Sequence, residues 1–148
     1  MVTIENRQDK VKINIAQLRK DARQVLKLLD YANYDLGICL IDNVAMQEYN
    51  NTYRHKNVPT DVLSFPFHEL KPGERIVPKT DDDKNLGDLL MSLEFVQEHY
   101  PENCYARVQK LLVHGVCHLL GHDHDTDETD EIMHELEATL LAKISSQE

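Results

Sequence analysis

His114-Gly115-Val116-Cys117-His118-Leu119-Leu120-Gly121-His122-Asp123-His124 is the stretch whose reading decides how this chain is built. His114 and His118 stand four apart in a helical pattern predicted over 105–120. Side chains at i and i+4 share a helix face, so both imidazoles can point at one ion. They flank the apolar stripe Val108, Leu111, Leu112, Val116 and Leu119, which places them at the edge of a core, where a cleft can open. Gly121 takes positive φ at little cost, so the helix can end there and the chain can turn back. His124 then approaches the same ion from outside the helix. Three protein ligands leave one position open, the arrangement of catalytic rather than structural zinc, with Zn–N bonds of about 2.0–2.1 Å. A single histidine pair at this spacing is common on packed helices. H-x3-H-x5-H with an interposed glycine is much more specific. His122 is the rival third ligand, but alternation turns it from His124 and makes it a cleft-wall residue. Cys117 points about 100° away from His118 around the helix and reads as packing. His134 reads as a surface or packing residue, and His55, His68 and His99 have no partner in sequence. Three imidazoles also suit nickel, copper and iron.

Outward from that helix, the pattern is mixed. Val11 to Ile15 alternates apolar and polar, as a strand does. A helix is predicted over 16–28, a buried strand over 36–41, a second helix over 44–53 and a strand over 60–67 (TDVLSFPF). Pro66 has no backbone N–H, so that strand has a free edge or ends there. Residues 68–85 read as loop, with Pro72, Gly73, Pro78 and Asp81-Asp82-Asp83. A strand over 86–93 is broken by Gly87-Asp88, and a short helix over 94–100 ends at Pro101. The last helix is predicted over 125–144, capped by Asp125 and Glu128, with a stripe of Ile132, Leu136, Leu140 and Ile144. About four strands and four or five helices favour an α+β fold, a small mixed sheet covered by helices on one or both faces.

The 148 residues, 41% of them hydrophobic, are expected to form one domain over 1–148 with its own core. No apolar run reaches the roughly 18–20 residues of a membrane span, so no membrane partner is expected. Glu5 and Asp9 are unlike an acidic-poor transit peptide. Cys39, Cys104 and Cys117 are odd in number and read as free thiols in a reducing compartment. The net charge of −10 argues against general polyanion binding, but it is unevenly spread. Residues 1–30 carry seven Lys/Arg against four Asp/Glu, and residues 121–148 carry one Lys against nine Asp/Glu. The acidity is concentrated near the C-terminus, which leaves the rest of the surface free to carry a basic patch.

The ligand spacing matches the metzincin proteases, H-E-x-x-H-x-x-G-x-x-H, whose glutamate is the general base. Gly115 stands at that glutamate's position, which counts against ordinary peptidase chemistry. Two longer motifs point elsewhere. Asn50-Asn51-Thr52-Tyr53-Arg54-His55-Lys56-Asn57-Val58-Pro59-Thr60-Asp61-Val62-Leu63-Ser64-Phe65-Pro66 is similar to N-x-x-Y-R-x-K-x-x-P-T-D-V-L-S-F-P. His114 to His124 is similar to H-G-x-x-H-L-x-G-[YF]-D-H. With Leu86-Gly87-Asp88 as a third, shorter element, the sequence resembles the YbeY family of metal-dependent endoribonucleases over nearly its whole length. His122 departs from that family's aromatic residue before Asp-His.

The resemblance implies a zincin-like fold and hydrolysis of single-stranded RNA. It implies roles in maturing small-subunit ribosomal RNA and in ribosome quality control, beside small-subunit ribosomal proteins, in the cytoplasm or, in a eukaryote, the mitochondrial matrix. It implies one Zn2+ held by His114, His118 and His124, with His114 also counted as catalytic, and an active-site role for Arg54. The physical reading agrees for Arg54, because guanidinium is a planar, permanently charged phosphate partner. Its structural alternative is an ion pair with Asp61 or Asp88. Lys56 is a second phosphate candidate, and Ser64 and Phe65 lie on a strand that would line the cleft, Phe65 more as packing. Two other functions stay open: a zincin-type metalloprotease, and a non-catalytic ribosome assembly module with a structural metal.

Overall fold

Two apolar segments, Asp35–Ile41 and Asn85–Ser92, lie side by side as parallel strands, one face fully buried and the other partly open around Gly37, Cys39 and Asp88. Around this pair the computed structural model, which describes residues 1–145, builds a four-stranded mixed sheet. In chain order its elements are β1 (Val2–Asn6), α1 (Ile15–Leu28), β2 (Asp35–Ile41), α2 (Asn43–Arg54), β3 (Val62–Pro66), β4 (Asn85–Ser92), α3 (Leu93–His99), α4 (Cys104–Leu119) and α5 (Asp127–Ser145). The strand order is β1-β2-β4-β3, with β1 parallel to β2 and β3 antiparallel to β4. The fold is α+β, as expected.

Period-2 alternation sends β-strand side chains to two unequal cores. Leu36, Ile38, Leu40, Leu89 and Met91 join the main cluster with α1, α4 and α5. Ile41, Leu63 and Leu90 join a small one with Met46 of α2, against which Tyr49 and Phe65 pack. Leu112 of α4 has no exposed surface; burying such a side chain contributes about 1.5–3 kcal/mol. Asp21 is a buried carboxylate on α1, accepting from Tyr105 Oη at 2.5 Å, Gln109 Nε2 at 3.1 Å and Gln17 Nε2 at 3.0 Å. It ties α1 to α4 through satisfied polar contacts.

Three local expectations are corrected. Residues 11–15 are not a strand: the Val11 N–H and C=O are both taken by the Gln8 side chain, and the first strand is instead Val2–Asn6. At the start of α5, Thr126 and Thr129 exchange side chain-to-backbone hydrogen bonds, displacing the expected Asp125/Glu128 cap. Ile132 is 46% exposed, and Met133 takes its place in the core. The strand at 85–92 runs through Gly87-Asp88 without breaking; the sheet absorbs the disturbance as a register shift at Asp35/Leu36. β3 is an edge strand, as Pro66 requires. Among the described residues no helix is long and apolar enough to cross a membrane.

Candidate metal centre

α4 ends in a Schellman motif. Gly121 N–H bonds to His118 C=O at 3.0 Å and His122 N–H to Cys117 C=O at 3.1 Å, the paired closure of such an end. Gly121 has φ +90°, and a Cβ there would sit 2.3 Å from the Leu70 carbonyl oxygen. No other residue fits the turn. The reversed chain carries His124 back over the helix, where its ring centroid lies 5.3 Å from that of His114 and 5.4 Å from that of His118. His114, His118 and His124 thus offer ligand atoms that all lie within 4.8 Å of one another.

All three rings are oriented through Nδ1. His114 Nδ1 lies 3.2 Å from Glu137 Oε1, His118 Nδ1 2.9 Å from the His122 carbonyl, and His124 Nδ1 2.5 Å from Asp130 Oδ1. Carbonyls and carboxylates only accept here, so each Nδ1 carries the hydrogen and each Nε2 keeps its lone pair. The Nε2 atoms of His114 and His118 face one another at 3.0 Å. Two lone pairs at that distance repel unless a cation lies between them. Tetrahedral Zn–N bonds of about 2.05 Å place neighbouring nitrogens about 3.3 Å apart, so the donor set fits a small divalent ion. Backbone and carboxylate partners of this kind set tautomer and ring direction in metal-binding histidines. Burial, then the neighbouring His114, pushes the His118 imidazole below its ordinary range. That favours the neutral ring a metal needs.

The neighbours sort themselves. His122 stays outside the ligand group and serves His118 through its backbone; its own Nδ1 is buried without a hydrogen-bond partner among the described residues. Burial pushes the Cys117 thiol up to about 12, so it is a packed, protonated side chain. Asp130 lies 3.5 Å from His134 Nδ1 as well, and His124, Asp130 and His134 form a second, more exposed group with ligand atoms within 4.8 Å. Gly115 faces the sheet. A Cβ on it would meet Leu89 Cδ2 at 2.7 Å and Ser64 Oγ at 3.4 Å, so a peptidase glutamate there would have to displace Leu89 and would point at the sheet.

His114 and His118 border a cleft of about 780 Å³ between α4, α5 and β3, which Arg54, Asp61, Ser64, Arg107 and Lys110 also line. Arg54 closes α2 and reaches around the edge strand. It donates to the Ser64 carbonyl at 2.9 Å and the Tyr53 carbonyl at 3.3 Å, and lies 5.1 Å over the Phe65 ring. Among the described residues it pairs with neither Asp61 nor Asp88. Ser64 Oγ donates to the Gly115 carbonyl at 3.4 Å. Lys56 is exposed beyond the cleft wall, and Phe65 packs on the opposite face of the sheet.

Sequence reasoning missed Glu137 and Asp130. They belong to α5, and nothing in their spacing distinguishes them among the acidic residues there. It also missed Arg107 and Lys110, although these lie seven and four residues before His114 and helical periodicity alone puts them on its face.

The whole arrangement has relatives. The family model described as "Endoribonuclease YbeY" matches residues 3–145. The human protein named "Endoribonuclease YbeY" is 41% identical over 146 residues, covering 97% of this chain and 87% of its own. That of Carboxydothermus hydrogenoformans is 39% identical and covers 97% of both. A solution structure of TM1509 from Thermotoga maritima has a TM-score of 0.66 at 19% identity, over 99% of this chain and 91% of that one; it shows the same fold. With a family model spanning nearly all its length and relatives at this identity, the chain belongs to the endoribonuclease YbeY family.

Proposed function

We propose that this protein is a metal-dependent endoribonuclease that cleaves single-stranded RNA, with His114, His118 and His124 holding one zinc ion and Arg54 binding the scissile phosphate. The observation that carries this reading is the set of three imidazoles, each with its Nδ1 committed and their ligand atoms gathered within 4.8 Å, two of them lining a cleft that a guanidinium also lines. A divalent ion there supplies Lewis acidity toward a phosphoryl oxygen and water. The protein's own residues do the rest. Glu137, Asp130 and the His122 carbonyl fix the ring directions. Arg54 has spent part of its donor fork on two carbonyls and keeps the remainder, with its full charge, for a phosphate. Ser64 lines the floor, and the charge of Arg54 offsets that building on the non-bridging oxygens. Lys56 guides RNA from farther out.

The physiological substrate in this reading is the small-subunit ribosomal RNA, met beside small-subunit ribosomal proteins, in the cytoplasm or the mitochondrial matrix. A peptidase is disfavoured by the filled space around Gly115. Cleavage of single-stranded RNA and of peptide is compared with and without chelator, on the wild type and on Arg54→Ala. RNA cleavage is expected, abolished by chelator and restored by zinc. Arg54→Ala is expected to keep its metal and its melting temperature and to lose on the order of 10²–10³ in rate, with Arg54→Lys recovering part. Peptide cleavage alone, or wild-type cleavage by Arg54→Ala, sinks the assignment.

A further inference from the structure

α4 carries more than metal ligands on its cleft side. Arg107, Lys110, His114 and His118 recur at intervals of three or four residues, so they form one row along the helix. All four border the same cleft. Arg54, from the end of α2, enters it past β3, at the other wall. A rise of about 1.5 Å per residue puts Arg107 about 10 Å from His114 along the axis. That is too far to share the phosphate at the metal, and suited to another phosphate on the same strand.

Arg107 is not used up by the fold. Its guanidinium lies 4.6 Å over the Tyr100 ring and 3.8 Å from Asp61 Oδ2. The second distance is longer than a hydrogen bond. Its Nε is buried and has no hydrogen-bond partner among the described residues. Asp61 Oδ1 accepts from the Val62 N–H at 2.8 Å, which leaves Oδ2 as a loose ion-pair partner of the guanidinium. A half-buried guanidinium stacked on an aromatic ring and held by no more than a 3.8 Å ion pair is positioned for an oxyanion that can approach closer. Lys110 is exposed one helical turn nearer the metal and adds a mobile second charge.

We infer that Arg107 and Lys110 form a second phosphate subsite, which takes the RNA backbone next to the scissile phosphate and aligns the strand along α4. The inference rests on the RNA-cleaving reading above. It gives the strand a direction across the molecule, from the Arg107 end of α4 to the histidines, clear of the acidic exposed face of α5.

The test is steady-state cleavage by zinc-loaded Arg107→Ala/Lys110→Ala on single-stranded RNAs from a dinucleotide upward, over a range of salt. Metal content and thermal unfolding are measured on the same preparations. KM should rise about tenfold for each cation removed, far more than kcat falls, and the defect should grow with substrate length. The salt dependence of kcat/KM should flatten by about 0.7 in log–log slope for each phosphate left unneutralised. Arg107→Lys should recover part of the KM. Unaltered KM and salt slope beside an active wild type overturns the subsite alone. So does an equal loss on all lengths accompanied by a lowered melting temperature, which would make Arg107 a structural ion pair to Asp61. A wild type that cleaves no RNA at any length overturns the parent reading and this one with it.

Discussion

Cys117 and His118 are adjacent on α4, and burial acts on both in one physical direction. It disfavours the charged form of each: the thiol is pushed up to about 12 and the imidazole is pushed down. The consequences are opposite. A cysteine binds zinc as thiolate, so keeping its proton disarms it. A histidine binds zinc as neutral ring, so losing its proton arms it. One face of the helix is therefore inert packing, with Leu112, Val116 and Cys117 fully buried. The other is a row of donors and cations whose state is set by named partners. Low polarity is the largest influence on which of two neighbouring ligand types is available.

The strongest way to break this comparison is to cross the two faces. His118→Ala should remove essentially all bound metal while leaving the main core intact, read by metal analysis and thermal unfolding. Retention of one ion per chain would show that the row is not the ligand set. Leu112→Ala should do the reverse. It should cost about 2–5 kcal/mol of stability in denaturant titration yet leave metal stoichiometry unchanged in the folded protein. Glu137→Gln sharpens the contrast. It keeps the shape beside His114 but removes the carboxylate charge, and metal affinity should fall about 10–100-fold by competition with a chelator. An unchanged affinity would leave Glu137 as a bystander on α5.

The smallest effect concerns pH and Cys117. The folded thiol holds its proton up to about 12, whereas an unfolded one loses it near pH ~8.5. Its contribution to stability is therefore complete below about pH 8.5 and is lost as pH rises toward the folded value. A thiol reagent at mildly alkaline pH should label Cys117 only on unfolding, at a rate that follows global opening. Rapid labelling of the native protein would contradict the burial.

Much of this was legible in the sequence because it is local. The ligand spacing, the turn at Gly121 and the two buried strands each follow from residues within one or two turns of one another. The first strand was misplaced because alternation reports which side chains are apolar, not which backbone groups find partners. Val11, Ile13 and Ile15 do pack against the core, but Gln8 satisfies the Val11 backbone before any strand can. Glu137 and Asp130 were invisible for a different reason. Their partners lie 23 and 6 residues away across a packing decision that no spacing encodes. The edge position of β3 could be read from Pro66, yet the reach of Arg54 around that edge depends on where α2 ends, at His55 in a left-handed conformation.

The three proposed ligands fall within the stretch His114 to His124, and this compactness has a kinetic and thermodynamic side. Closing so short a segment costs a chain little entropy, and the cost grows only slowly with length. The unfolded or nascent chain can therefore capture an ion before the sheet exists. An ion that also binds the unfolded state stabilises the fold by less than its affinity suggests, because both sides of the equilibrium are lowered. What ties the ion to the native state is then the part supplied from outside the segment, above all the carboxylate of Glu137, which meets His114 only after α5 has docked on α4.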